Sequence, residues 1–508
     1  MAWVECIGAH RQILADSVPL DLRRPNSIAR EQGPPNANWV AEGAPRWGAT
    51  RLGVPGWGGT ASIDTTKPYV FRESDDSSFM STVPTSTTYP TQPPTLDDLG
   101  VPAAIIEDII LQRLVMEGRS SVSLLATATG LSVGIVDNVV DGLRQRLMLE
   151  IQGMAGRDYV ISSTDLGKAE AHSRAQATAY ASYAPVSLEE YTRVTMSQRG
   201  RSAINEQTLK EAFDDLIIED GFFDELGPAL VSKGAVFLYG PPGTGKTSLA
   251  ERMIKMYKDP ILVPRAVEYD RAIITLFDPS IHIPVEQPEG LDPRWILCER
   301  PFVLVGGELT GQHLDLDRDL STGVYRAPLQ MKANNGIFVI DDFGRQKTTP
   351  EALLNRWIVP LSHSIDFLTL AHGATFQIPF DAKVVFSTNM RPDQLGDDAF
   401  ARRIPNKVFV GQIEASTFDR VLAAVCTNMS ISCNQESADY LKTFILQNTE
   451  GGLRPYYPAD FGRTLSSICD YEGRARVLDQ DAINRVAKIY FTRDDAAGHW
   501  ETKAQIAA

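Results

Sequence analysis

The sequence predicts an α/β fold, a parallel sheet between helices with a helical lid after it, on three observations. An apolar run, Phe237-Leu238-Tyr239, passes straight into the loop Gly240-Pro241-Pro242-Gly243-Thr244-Gly245 and on into Lys246-Thr247-Ser248 at a helix start. Short, β-rich apolar runs recur at 336–340 and 383–388, each ending in a polar residue of catalytic type. From Ala203 onward strand and helix patterns alternate, as in an open parallel sheet whose ligands bind at the carboxyl ends of its strands.

The remaining elements follow in chain order. Residues 1–95 are rich in Pro, Gly, Ser and Thr, as in Val83-Pro84-Thr85-Ser86-Thr87-Thr88-Tyr89-Pro90. Such a stretch buries too little apolar surface to offset its ordering entropy, so a disordered arm is expected. Trp47 and Trp57 stand in it either as docking motifs or as tethered coil. Residues 96–195 turn helical, with apolar positions at Ile105, Ile109, Leu111 and Leu114, then Val122, Leu124 and Leu125, and a third helix from a Ser132 cap to Leu149. Two short apolar runs, Leu149-Glu150-Ile151 and Tyr159-Val160-Ile161, bracket a Gly-containing turn. Three helices plus a hairpin resemble a winged-helix module. Residues 196–411 carry the sheet, 412–495 read as a helical lid, and 496–508 as a tail.

Composition narrows the function. A chain of 508 residues exceeds one core, and roughly two to four domains are expected. The net charge of -15 argues against a general nucleic-acid binder, because phosphate neutralisation needs clustered Lys and Arg. The third helix of the 96–195 module repeats the argument locally, with Asp137 and Asp141 ahead of Arg144 and Arg146. Protein docking is therefore favoured there over DNA binding. Five cysteines, Cys6, Cys298, Cys426, Cys433 and Cys469, lack metal-ligand spacing and read as free thiols in a reducing compartment. No apolar run is long enough to span a bilayer, and the start of the chain lacks a signal-peptide core. A cytoplasmic protein without membrane insertion is expected.

The loop 240–248 has the glycines, lysine and hydroxyl of a Walker A motif at the required spacing. Gly240, Gly243 and Gly245 let the backbone wrap a phosphate chain with its amides turned inward, and the next helix starts at the anion. Lys246 would neutralise the outer phosphates, and Thr247 would hold Mg2+ through its hydroxyl. The plainer alternative is a glycine-rich turn. Ile337-Phe338-Val339-Ile340 then delivers Asp341 and Asp342 as a Walker B strand, Asp341 toward the metal and Asp342 toward the attacking water. Val384 to Thr388 end at Asn389, an amide suited to orient that water, and Arg402 and Arg403 follow.

In this order the motifs resemble those of the AAA+ ATPases over roughly residues 203–490, with sensor 1 at Asn389 and an arginine finger at Arg403 or Arg402. Ala333-Asn334-Asn335-Gly336 ahead of Walker B, and a hairpin formed by 367–370 and 375–378, are similar to the MoxR-like and helix-2-insert branch. The resemblance implies ATP and Mg2+ as cofactors, ATP hydrolysis, and a homo-oligomeric ring, hexameric in form. It also implies a protein substrate or adaptor as partner, with a DNA-associated regulator or remodeller as the alternative. Gly307-Glu308-Leu309-Thr310-Gly311 lacks the Gly-Ala-Phe-Thr-Gly-Ala loop of sigma-54-type activators. A slow, nucleotide-gated scaffold is a third reading, since Asp342 stands where a Glu is usual and Ala459 where the lid arginine would be. Arg463, one turn later, either reaches the nucleotide or is a solvated helix residue.

Overall fold

The computed structural model describes residues 89–156, 158–200, 204–219, 221–392, 404–449 and 451–491. The arm as far as residue 88, the tail, and the Arg402–Arg403 pair lie outside the described residues. The centre is a five-stranded parallel sheet of β1 (Val236–Tyr239), β2 (Phe302–Val305), β3 (Ile337–Ile340), β4 (Lys383–Thr388) and β5 (Asn406–Phe409), in the order β2-β3-β4-β1-β5. Three of these strands are the runs expected from sequence. The two at the edges are additional.

Alternation along each strand builds the two faces. Phe237, Phe338, Ile340 and Phe386 point into one core with Leu353, Leu354 and Trp357 of the helix Pro350–His363. Val236, Leu238, Ile337, Val339 and Val385 point into the other, against Leu249 and Met253 of the helix Lys246–Met253 and Leu226 and Leu230 of Phe222–Val231. Burial on both faces explains why the runs read as nearly continuous apolar segments. The strand order reverses at β1, so the crevice beyond its carboxyl end is where such sheets bind ligands.

The long span between the glycine-rich loop and β3 holds more than a spacer. Residues 261–264 pair antiparallel with 295–298, and 266–269 with 272–275. Strand Ala272–Thr275 also receives Tyr325–Arg326, whose hairpin partner is Asp317–Arg318. The expected later hairpin forms between Ile365–Thr369 and Thr375–Pro379, with Thr369 opposite Thr375. Val267, Ile274, Trp295, Tyr325, Leu368 and Phe376 share one apolar cluster with Tyr191 and Val194 of the helix Leu188–Ser197. Asn334 and Asn335 clamp that helix to the sheet: Asn334 Nδ2 donates to the Tyr191 hydroxyl at 2.7 Å, and Asn335 Nδ2 to the Thr195 carbonyl at 3.0 Å.

Ahead of this lie the helices Ala103–Glu117, Val122–Thr129 and Val133–Gln145, with a sheet of Arg119–Ser121, Asp158–Ser163 and Leu149–Ala155 in that spatial order. Ser132 caps the third helix, its hydroxyl accepting from the Ile135 amide at 3.3 Å. The Ala179 amide on the Thr322 carbonyl at 2.6 Å joins the module to the hairpin 317–326, and the Ala184 amide on the Thr129 carbonyl at 2.7 Å ties the module's last segment back to its second helix. Helices Ala415–Asn428, Gln435–Asn448, Tyr456–Glu472 and Gln480–Tyr490 form the lid around Phe418, Leu441, Phe461, Leu465 and Ile483. The four described cysteines are free. Among the described residues no single helix is long and apolar enough to cross a membrane.

Candidate functional site

The carboxyl ends of β1, β3 and β4 converge because these strands lie side by side, β4 between the other two. β1 opens into the loop 240–245, where Gly240, Gly243 and Gly245 all have positive φ. At Gly240 a side chain would strike the Val410 carbonyl, and at Gly243 it would strike the Tyr456 ring. Both positions thus require glycine for space as well as for backbone conformation. Gly245 caps the helix that begins at Lys246.

Lys246 is buried to 7% exposure and turned inward. Its Nζ donates to the Gly240 carbonyl at 2.9 Å, the Pro241 carbonyl at 2.8 Å and Asn389 Oδ1 at 2.9 Å. Burial lowers its pKa, Arg454 adds to that shift, and Asp341 and Asp342 oppose it. Thr247 Oγ1 donates to Asp341 Oδ2 at 2.7 Å, and Asp341 Oδ1 accepts from the Asp342 amide at 3.0 Å. Pro241, Pro242 and Thr244 line the loop itself, with Thr244 Oγ1 closing back on the Pro241 carbonyl at 3.0 Å, and Ser248 follows Thr247 in the helix. The structure therefore brings together Lys246, Thr247, Asp341 and Asn389 from three separate strand ends.

Asp342 occupies the left-handed region at φ 47 and is exposed, held in that turn by its neighbours. Gln346 braces it: Nε2 donates to the Asp341 carbonyl at 3.0 Å, and Oε1 accepts from the Gly344 amide at 2.8 Å. The Thr388 hydroxyl donates to the Phe343 carbonyl at 2.6 Å, tying the end of β4 to the same turn. Arg463 is not brought to the loop. Its Nη2 pairs with Asp460 at 3.0 Å and its side chain is 63% exposed. Arg454 and Tyr456 touch the loop from the lid instead, Arg454 Nη1 donating to the Pro242 carbonyl at 3.1 Å. Sequence reasoning missed Arg454, Tyr456 and Gln346; the run Gly451-Gly452-Leu453-Arg454-Pro455 was the available signal for the first two.

Chemically, the donor set suits a polyphosphate with a divalent cation. The loop offers backbone amides and one ammonium, while Thr247 and Asp341 present a hydroxyl and a carboxylate oxygen in contact with each other, a pair a hard oxygen-seeking cation can share. Among the described residues no group of three or more His, Cys, Asp or Glu could hold a metal ion by itself, so such a cation would need ligand oxygens from the phosphates.

Residues 414–489, nearly the whole lid, match a family described as "Domain of unknown function (DUF8689)". Comparison with curated proteins returns no match. Among solved structures the chain is similar to a RuvB mutant of Thermotoga maritima, at 14% identity and a TM-score of 0.33, over 58% of this chain and 73% of that one. It is similar also to the Thermotoga maritima RuvB Holliday junction branch migration motor, at 13% identity and 0.31, over 57% and 72%. A third is NtrX from Brucella abortus in complex with ADP, at 10% identity and 0.34, over 54% and 57%. At scores this low the α/β assignment rests on the strand order and pairing described above, not on these alignments.

Proposed function

We propose that the chain is an AAA+ ATPase of the MoxR-like, helix-2-insert kind, which hydrolyses ATP with Mg2+ in a homo-oligomeric ring and remodels a protein partner. The observation that carries the reading is the meeting of Lys246, Thr247, Asp341 and Asn389 at adjacent parallel strand ends. The hairpin 317–326 lies between β2 and β3, and the hairpin 365–379 between β3 and β4, the chain positions of the helix-2 insert and the pre-sensor-1 hairpin. In this reading Lys246 neutralises the outer phosphates, Thr247 and Asp341 hold Mg2+, Asp342 polarises the lytic water and Asn389 orients it. Arg403 or Arg402 would come from a neighbouring subunit. ATP supplies the phosphoryl group whose transfer to water drives the cycle.

A protein partner is favoured over DNA by the face of the 96–195 module, which we take as winged-helix-like. Leu124, Val133, Leu147, Met154, Tyr159 and Leu166 of the module are exposed. The two arginines at the end of its third helix are already engaged: Arg144 pairs with Asp141 at 2.8 Å and Arg146 with Glu107 at 2.6 Å. Phosphates would have to displace carboxylates to reach them. The deciding experiment measures ATP turnover by the full chain with Mg2+, with and without duplex DNA, beside Lys246→Ala. Turnover lost in the folded variant and indifferent to DNA supports the reading; turnover that Lys246→Ala leaves intact defeats it, and strong stimulation by DNA transfers the module to the DNA-associated alternative.

A further inference from the structure

Alternation along Ala266–Tyr269 sends Val267 into the apolar cluster of Leu368 and Phe376 and Glu268 to the opposite face, beside Ala266 and across the hairpin from Ile273. Glu268 is buried to 7% exposure. Its Oε1 accepts from the Arg271 amide at 2.9 Å, across a turn in which Asp270 and Arg271 hold φ of 48 and 63. Its other oxygen has no hydrogen-bond partner among the described residues. Nor does a cation offset the charge: burial and then Asp270 raise its pKa, and only the Arg271 amide opposes them.

This carboxylate lines a cavity of about 610 Å3 that opens to solvent. Four elements meet there: Gly100 of the N-terminal module, Glu189 and Arg193 of the helix Leu188–Ser197, Glu268 to Asp270 of the hairpin 266–275, and Gln377 of the hairpin 365–379. Three carboxylates, Glu189, Glu268 and Asp270, thus stand against one arginine. Asp270 lies 2.9 Å from His372 Nε2, whereas Glu189 and Glu268 make no ion pair among the described residues. Tyr269 adds an aromatic wall, packed on Phe376 with 4.4 Å between ring centres. The turn asks Glu268 only for an acceptor, which a neutral amide would supply at a lower desolvation cost. The charge is the part of Glu268 that the fold leaves unused.

Resting on the protein-partner reading above, we propose that this cavity receives an arginine side chain of that partner, its guanidinium on the free oxygen of Glu268 and its stem along Tyr269. A planar fork of N–H donors can serve Glu268 and a second carboxylate at once and stack on the ring. The volume exceeds what one such side chain fills, so flanking residues of the partner enter with it. Gly100 and Gln377 would then border the same segment, and recognition would depend on the module and the hairpin together.

The test is fluorescence anisotropy of the full chain with a fluorescein-labelled pentapeptide, Gly-Ser-Arg-Ser-Gly, and its twin carrying citrulline, which keeps the shape of arginine without its charge. The wild type should prefer the arginine peptide by about tenfold or more, the scale of a hydrogen bond to a charged group. Glu268→Gln keeps an acceptor for the Arg271 amide and should abolish the preference, while Glu206→Gln, on the helix Glu206–Ala212, should not. Glu189→Gln should lower it in part, and serves if Glu268→Gln fails to fold by circular dichroism. Equal binding of the two peptides by the wild type, binding of neither, or a preference unmoved in the folded cavity variants overturns the proposal. Binding of N-acetylarginine amide as tight as that of the peptide would make the cavity a small-molecule site and overturn it too. ATP turnover is read on the same samples and should be unchanged in Glu268→Gln. Wild-type turnover beside a failed preference removes the cavity assignment alone; a wild type that does not turn over ATP removes the reading beneath it.

Discussion

Asn389 Oδ1 accepts a hydrogen bond from Lys246 Nζ at 2.9 Å, across 143 positions of chain. The end of β4 thereby holds the cation that belongs to the loop after β1. Removing the amide should leave the loop formed, since Lys246 keeps the Gly240 and Pro241 carbonyls. Asn389→Ala is therefore expected to bind N-methylanthraniloyl-ATP within about threefold of wild type and to lose turnover by about 10²-fold, the scale of one positioned polar group. Paired titration and steady-state ATPase assays check this, and a loss confined to affinity would make Asn389 a binding residue only.

The Asp342 side chain is exposed and takes no part in the Thr247–Asp341 hydrogen bond, so its charge is separable from metal binding. Asp342→Asn should retain Mg2+-dependent nucleotide binding and lower turnover by roughly 10²-fold, as for other acid-base groups. Unchanged turnover would move the water-polarising role elsewhere.

The arginine pair gives a prediction about assembly. Arg403→Ala should bind ATP almost normally yet turn over about 10³-fold more slowly, the scale seen when such cations are absent. Mixed with Lys246→Ala, itself inactive, it should regain part of the activity, because some interfaces then join an intact loop to an intact finger. If native mass spectrometry shows mixed oligomers and activity stays absent, Arg403 is not supplied in trans, and Arg402 is tested in the same mixture.

Lys383 gives a pH dependence. Its Nζ donates to the carbonyls of Ala229, Ser232 and Gly234 at 2.8, 2.6 and 2.8 Å, and burial pulls its pKa from 10.5 down to about 8. Between those values the unfolded chain holds more protons than the folded one, so stability from this residue is full above 10.5 and falls as pH drops through about 8. The difference in urea stability between wild type and Lys383→Met should grow in favour of wild type from pH 8 to 10, by no more than about 3 kcal/mol. A difference that is flat or shrinks over that range would show that the three carbonyl bonds to the ammonium outweigh its burial.

The meeting of Lys246, Thr247, Asp341 and Asn389 was legible because a glycine-rich loop with a lysine and a hydroxyl at fixed spacing stands out, and because β1, β3 and β4 are buried on both faces and so run apolar. The edge strands were not. Phe302–Val305 is four residues between Pro301 and Gly306, and Asn406–Phe409 begins with two polar residues, so neither pattern stands out from a loop. Arg454 was invisible for another reason. Only the folded lid carries it to Pro242, 212 positions away, and nothing in a periodicity marks a loop guanidinium that binds a distant carbonyl. The segment 261–298 left only a length, because its hairpins are stabilised by packing against 365–379 and the helix 188–197 more than by local pattern.

Asn334 and Asn335 sit just ahead of β3 and grip Tyr191 and Thr195, while Thr322 is bonded to Ala179 beside the N-terminal module. The module is therefore bonded at two points, to the residues leading into β3 and to the turn of the hairpin 317–326. The helix 188–197 is thereby anchored at the amino end of the same strand whose carboxyl end bears Asp341 and Asp342. The module's anchorage and the two carboxylates thus stand at opposite ends of one strand four residues long.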